Sequence, residues 1–275
     1  MSVMQINNNI AALRALRHLN FTSTNLDKTL SKLSSGLKIV SAADDPAGLI
    51  ISEQLRSQIS SLKAASRNAS EADHFFGIAE AALDEVNRML VDMRALAIHA
   101  ANGATSQDQR DADFLAFANA VDSIINVTTT TRYAGEVIFD GLPKDYLIGE
   151  EATDVVSFTM VDLSADASIA TMDGLAGWVD AAAASASLTD IDALQGVVSA
   201  LRGNIGAYQQ NVFQSRERTL AVQIENIAAA ESNIRDANIA EETTNFTKWQ
   251  ILTQAGVAVL AQANVISQNA LKLLG

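Results

Sequence analysis

The chain has no cysteine, only two prolines and three histidines in 275 residues, and aromatic side chains make up 5% of it. Without cysteine there is neither a disulfide framework nor a thiolate metal site. So few prolines let helices run long, because proline removes a backbone donor and clashes with the preceding turn. Positive charge is also short: 19 Lys and Arg stand against 32 Asp and Glu, a formal net charge of −13. A nucleic-acid binder needs a basic stripe to displace phosphate counterions, and no such stripe is present. The opening MSVMQINNNIAALRALRHLN has neither an extended apolar run nor a small-residue cleavage site, so a cleaved secretory signal is not expected.

Chemical motifs are equally scarce. Between residues 100 and 190 there is no HExxH, nucleophile elbow or phosphate loop. His18, His74 and His99 are scattered, with no second ligand at metal spacing. DQRDAD, at 108–113, lacks the glycine and terminal glutamate of a calcium loop and reads as a solvated helix start. The expectation is therefore no enzyme, no metal and no cofactor. The adjacent Asp44 and Asp45 could form a carboxylate dyad, but they precede Pro46 and Gly48 where a helical pattern resumes, which reads as helix capping at a joint.

What the chain does have is 48% hydrophobic residues set at alternating spacings of three and four, the signature of coiled coils and helix bundles. The first run is Leu16, Leu19, Ser23, Leu26, Leu30, Leu33, Leu37 and Val40. The second runs from Leu62 through Ala65, Ala69, Ala72, Phe76, Ala79, Leu83, Val86, Leu90 and Met93 to Ala97. A shorter one, Phe114, Phe117, Val121 and Ile124, follows Gly103 as a stop and Ser106 as an N-cap. Ile191, Leu194, Val198, Leu201, Ile205, Tyr208 and Val212 form a fourth, which slips phase before Leu220, Ile224, Ile227 and Ile234. The last is Trp249, Leu252, Gly256, Val259, Ala263, Ile266, Ala270 and Leu273.

That last run carries no charge between Trp249 and Leu271, but Gln250, Thr253, Gln254, Gln262, Asn264, Ser267, Gln268 and Asn269 would be costly to bury in lipid. Membrane insertion is not expected. Between about 131 and 187 the pattern changes to Val, Ile, Phe, Tyr and Thr broken by Asp140-Gly141 and Pro143, which are strand and turn signals. The tail of this region is rich in small residues and weakly patterned.

The expected fold is mainly α: an elongated coiled-coil or helix-bundle rod with a small β-hairpin region at mid-chain and paired N- and C-termini. Residues 1–43 and 236–275 form the two halves of a terminal coiled coil. Residues 44–235 form the rod, with helices near 44–103, 106–128 and 188–235. Asp44, Asp45, Pro46 and Gly48 mark the joint, and Glu241-Glu242 reads as its return. Both terminal runs carry more apolar surface than one partner covers, so other copies of the chain are expected to bury the rest.

LSSGLKIVSAADDPAGLIISEQLRSQISSL and ESNIRDANIAEETTNFTKWQILTQAGVAVLAQAN resemble the two signature regions of bacterial flagellin, the subunit of the flagellar filament. The resemblance covers about the first 140 residues and the last 90, with the variable outer domains reduced to the β region. It implies terminal helices that line the inner tube of a filament, are disordered in the free subunit and fold on assembly. It also implies export through the flagellar type III channel to the cell exterior. The implied partners are further copies of the chain, an export chaperone and the export apparatus, and the filament cap and hook-junction proteins. The alternative is a hook–filament junction protein, which shares the DDP joint.

The spacing of the two terminal runs makes Leu16, Leu19, Leu26, Leu30, Leu33, Leu37, Val40, Trp249, Leu252, Val259, Ala263, Ile266 and Leu273 the expected terminal coiled-coil and polymerisation residues. MLVDMRALAIHAANG matches the region of flagellins read by an innate immune receptor of animal cells. Arg94, Leu96 and Ile98 fit, but Asp92 stands where arginine is usual and His99 where glutamine is. This implies weakened recognition. A last departure is Ala134-Gly135, where the family usually has Asn-Gly.

Overall fold

The computed structural model describes residues 9–272, with side chains to Val265. Its elements are α1 (Ile10–Ser35), α2 (Pro46–Ala100), α3 (Gln107–Thr130), β1 (Arg132–Tyr133), β2 (Glu136–Val137), β3 (Pro143–Leu147), β4 (Val155–Thr159), α4 (Ala167–Asp173), α5 (Ala181–Tyr208), a π-helical turn (Gln209–Phe213), α6 (Gln214–Arg235) and α7 (Ile239–Lys272). The fold is mainly α, with two small antiparallel hairpins, β1–β2 and β3–β4, at mid-chain. Two compact units divide the chain. One holds residues up to 59 and from 226 on; the other holds Ser60–Glu225.

The Ser60–Glu225 unit contains a conventional core. All eleven seam residues from Leu62 to Ala97 are buried. Phe117, Val121 and Ile124 of α3 and Ile191, Leu194, Val198, Leu201 and Ile205 of α5 are buried with them. The alanines at 65, 69, 72, 79 and 97 leave room for neighbouring backbones, and Phe76 fills the space by packing on Phe158 at 4.8 Å and Phe213 at 5.2 Å. Exposed ion pairs across α2 and α5 fix their antiparallel sense: Arg94 reaches Asp192, and Arg202 reaches Glu80 and Asp84.

The phase slip after Ile205 has a structural cause. Buried residues step by seven from Val198 to Ile205, then by eight to Phe213 and by seven to Leu220. The π-helical turn Gln209–Phe213 absorbs the extra residue, so one continuous apolar face survives the insertion.

Helix starts follow local chemistry. Ser106 and Gln109 form a reciprocal capping box on α3. Asp180 caps α5, which therefore begins at Ala181, seven residues before the expected start. The region expected as β to residue 187 is correspondingly shorter. Its small-residue tail holds α4, capped by Asp166, and a loop that buries Trp178 against Phe117 at 4.9 Å. The Trp178 indole N–H donates to Ser187 Oγ at 3.0 Å.

Ala134 and Gly135 both have positive φ, 50° and 93°, as the tightest β-hairpin turns require. Ala134 is the one non-glycine residue with positive φ among those described. The turn keeps its usual twist without its usual asparagine.

Candidate assembly surface

The other unit pairs the two ends of the chain. Asn9 caps α1 by accepting from the Ala12 N–H, and its side-chain amide donates to the Ala263 carbonyl of α7 at 3.1 Å. Farther along, Leu19 faces Gly256 and Phe21 meets Trp249 edge-on, with centroids 6.1 Å apart. At the far end the Leu37–Asp236 bridge joins the connections, with Lys38 N–H donating to the Arg235 carbonyl and Ala237 N–H to that of Gly36. The helices are antiparallel along their length.

The fully buried residues of this hairpin are small or hydroxylated: Ala15, Thr29 and Ala263. Leu19, Thr22, Leu26 and Leu33 of α1 and Trp249, Thr253, Gly256 and Leu260 of α7 are half-buried. A Cβ on Gly256 would stand 3.3 Å from Leu19 Cδ1 and 3.9 Å from its Cα, so the helices come closest there. The threonines satisfy their hydroxyls on their own helices: Thr22 donates to Leu19, Thr29 to Asn25 and Thr253 to Trp249. This removes the cost of placing a hydroxyl in the seam.

The expected seam therefore needs a correction. Leu19, Leu26, Leu33, Leu37, Trp249 and Ala263 are buried or half-buried. Leu16, Leu30, Val40, Leu252 and Val259 are exposed, with Val259 58% accessible. Thr253 and Leu260 occupy the hairpin positions expected of Leu252 and Val259. The inward stripe of α7 thus follows Trp249, Thr253, Gly256, Leu260 and Ala263, which places Leu252 and Val259 on the outer face. Ile266 and Leu273 lie outside the residues whose side chains are described.

Among the described residues of this unit fourteen large apolar side chains are exposed, including Leu13, Leu16, Phe21, Leu30, Ile251, Leu252, Val257 and Val259, while the buried hydrophobics are Ala15, Ile39 and Ala263. Scattered apolar residues on a surface need no explanation; a surface with more large apolar side chains than its own core does.

The joint is built from unlike uses of like residues. Asp45 caps α2: its Oδ1 accepts from Gly48 N–H at 3.0 Å, and Pro46 takes the first helical position. Asp44 instead folds back on the loop, its Oδ2 accepting from the N–H groups of Val40 and Ser41 and from the Ser41 hydroxyl. The Ser41 N–H chiefly, helped by the Val40 N–H and the Ser41 hydroxyl, holds the Asp44 carboxyl below its ordinary value against the opposing effect of burial. Gly48 is required sterically, because a Cβ would lie 2.5 Å from Asp45 Oδ2 and 2.7 Å from buried Ile39. On the return side, Asn238 caps α7, and Glu241 and Glu242 lie within its first turn. The return joint is thus three residues shorter than the reading at Glu241-Glu242, and those acids complement the helix dipole.

Of the residues in the Ser60–Glu225 unit singled out by resemblance, Ile98 is exposed, Leu96 is half-buried against the core, and Arg94 is paired with Asp192 at 2.9 Å. That bond raises the Arg94 pKa and lowers that of Asp192. Asp92 is exposed, and His99 bonds Asp113.

A hairpin that joins both chain ends and leaves its largest apolar residues uncovered defines a self-associating helical protein. The chain matches the Bacterial flagellin N-terminal helical region over residues 6–143 and the Bacterial flagellin C-terminal helical region over 179–274. It is 36% identical to a flagellin of Bacillus subtilis and 36% identical to flagellin FlaB1 of Treponema pallidum, in each case over 98% of this chain and the whole of that protein. In fold it is similar to a putative flagellar hook-associated protein of Vibrio parahaemolyticus, with TM-score 0.60 and 18% identity over 70% of this chain and all of that one. A Bacillus cereus flagellin gives 0.50 and 22%, over 60% of this chain and 94% of that one. The chain belongs to the bacterial flagellin family, and it is a structural subunit of the flagellar filament. Among the described residues, no helix is long and apolar enough to cross a membrane.

Proposed function

We propose that the outer faces of α1 and α7 are the polymerisation surface, buried against neighbouring copies when the filament grows. The observation that carries this reading is that, among the described residues, eleven large apolar side chains of α1 and α7 are exposed while the buried hydrophobics of the two helices are only Ala15 and Ala263. Full burial of a leucine-sized side chain contributes roughly 1.5–3 kcal/mol, so ten such residues offer on the order of 15–30 kcal/mol before the ordering entropy is subtracted. Leu16, Leu30, Val40, Leu252 and Val259 act between subunits. Leu19, Leu26, Leu33, Leu37, Trp249 and Ala263 act chiefly within the hairpin. Residues 36–48 and 235–238 form the joint between the terminal hairpin and helices α2 and α6, within the unit that holds both chain ends.

Before assembly the same surface is a liability, which supports an export chaperone that covers α7 and passage to the cell exterior through the flagellar export apparatus. Cap and hook-junction proteins are the partners at the filament ends. The innate receptor is engaged weakly, because Asp92 reverses charge at its contact and Arg94 is already committed to Asp192. Curated filament proteins that match along nearly the whole chain favour the filament subunit over the junction protein.

Electron microscopy of purified subunit, given short filament seeds and a precipitating salt that screens the negative charge, tests the reading. Long uniform filaments are expected. Seeds that stay short while the subunit is folded would move the assignment to a junction protein.

A further inference from the structure

A cavity of about 400 Å³ opens between α2, the β1–β2 hairpin and β3, entirely within the Ser60–Glu225 unit. Three rings wall it. Phe75 meets Tyr133 at 5.8 Å and 90°, and Tyr146 at 5.9 Å and 53°. Two carboxylates, Glu71 and Glu136, share the lining, and neither takes part in an ion pair among the described residues. Asp145 also borders it, but strand alternation turns its carboxylate to the face of β3 away from Tyr146, where it accepts from the Ser157 hydroxyl. The one cation of the lining, Lys144, is held by Asp140 at 3.1 Å. The lining therefore sets two carboxylates without a counter-ion among the described residues beside three aromatic rings, a combination that suits a cation, because carboxylates and π-systems both attract positive charge. The Tyr146 hydroxyl is buried and lacks a hydrogen-bond partner, and burial pushes its pKa up to about 12, so the wall stays a neutral phenol at physiological pH.

We propose that this cavity binds a compact organic cation, an alkylammonium or guanidinium group, seated against Phe75, Tyr133 and Tyr146 and neutralised by Glu71 and Glu136. An anion would meet two carboxylates, and a neutral apolar group would leave them without a counter-charge. The cation is either a free metabolite or the end of a lysine or arginine side chain on a neighbouring copy.

The test uses the full-length subunit, with choline and argininamide as probes and 3,3-dimethylbutanol as the uncharged counterpart of choline. Binding is followed by NMR on the ring protons of Tyr133 and Tyr146 and the amides of residues 68–75. Saturable shifts confined to these positions are expected, with the neutral probe at least ~10-fold weaker and Glu71→Gln/Glu136→Gln weakening the cations by a similar factor. Both replaced carboxylates are exposed, so the variant keeps its fold, which its unchanged spectrum elsewhere checks. No shift, or equal shifts with the neutral alcohol, overturns the proposal. Where the cations bind, seeded filament growth, which rests on the assembly reading, separates the sources. Growth slowed at concentrations that fill the cavity places the natural cation on a neighbouring subunit; unchanged growth places it in solution.

Discussion

Glu53 and Arg235 lie 182 residues apart in the chain and 2.7 Å apart in space. Arg235 ends α6 with its side chain only 13% accessible, and its carbonyl takes the Lys38 N–H from the crossing connection. One residue thus closes the joint twice, once through its backbone and once through its guanidinium.

The pairing sets a pH dependence. The bond from Arg235, reinforced by the charge of Arg56, holds the Glu53 carboxyl below its ordinary value of 4.5. A folded value below the unfolded one means that the contribution is complete above about pH 4.5 and is lost as pH falls through the folded value. Urea unfolding of Glu53→Gln against the parent should show a gap at neutral pH that closes in acid, once the Glu53 carboxyl is protonated in the folded chain as well. A gap that persists in acid would remove Glu53 ionisation from the joint.

Gly48→Ala should destabilise the chain by about 0.5–2 kcal/mol, the usual value of a helix cap, because the new methyl displaces the Asp45 carboxylate or Ile39. Chemical denaturation measures it. Asp45→Ala in the Gly48→Ala background should then cost little more, since both changes remove one bond; full additivity would contradict this account.

Val259→Asp and Leu33→Asp should separate folding from assembly. Val259 is exposed, so its replacement should shift subunit stability by no more than ~0.5 kcal/mol while stopping seed extension. Leu33 is half-buried in the hairpin, and an unpaired carboxylate there should cost roughly 1–3 kcal/mol as well as blocking growth. Normal filaments from Val259→Asp would show that the outer face of α7 is not a subunit contact.

Ala134→Asn should stabilise the β1–β2 turn by about 1 kcal/mol, because a left-handed conformation strains alanine more than asparagine. Thermal melting followed by circular dichroism reads the gain. No change would mean that the turn relaxes at alanine without cost.

The α2 seam was legible from Leu62 to Ala97 because a helix with one core to face has one apolar stripe, and spacing alone locates it. The terminal helices have two apolar faces, and reading by leucine merges them: Leu16, Leu30, Leu252 and Val259 lie on the outer one. Leu16 and Leu30 look outward while their neighbours Ala15 and Thr29 look inward. Nothing in a hydrophobicity pattern marks threonine as a seam residue; the usable signal was Gly256, which announces a helix contact too close for leucine. α4 and the Trp178 loop lacked a period altogether, and only the capping aspartates Asp166 and Asp180 hinted at them. The aromatic cavity escaped because Phe75 and Tyr146 meet only after β3 has folded back onto α2.

Asp44 and Asp45 are neighbours with the same side chain, yet they face different filters against mutation. At 45 the helix start accepts whatever can receive one backbone N–H, so serine, threonine and asparagine remain open to drift. At 44 a single carboxylate oxygen gathers two amides and a hydroxyl, and a shorter or singly accepting group leaves one of them stranded. Adjacent codons with the same meaning should therefore diverge at different rates, the second more freely than the first.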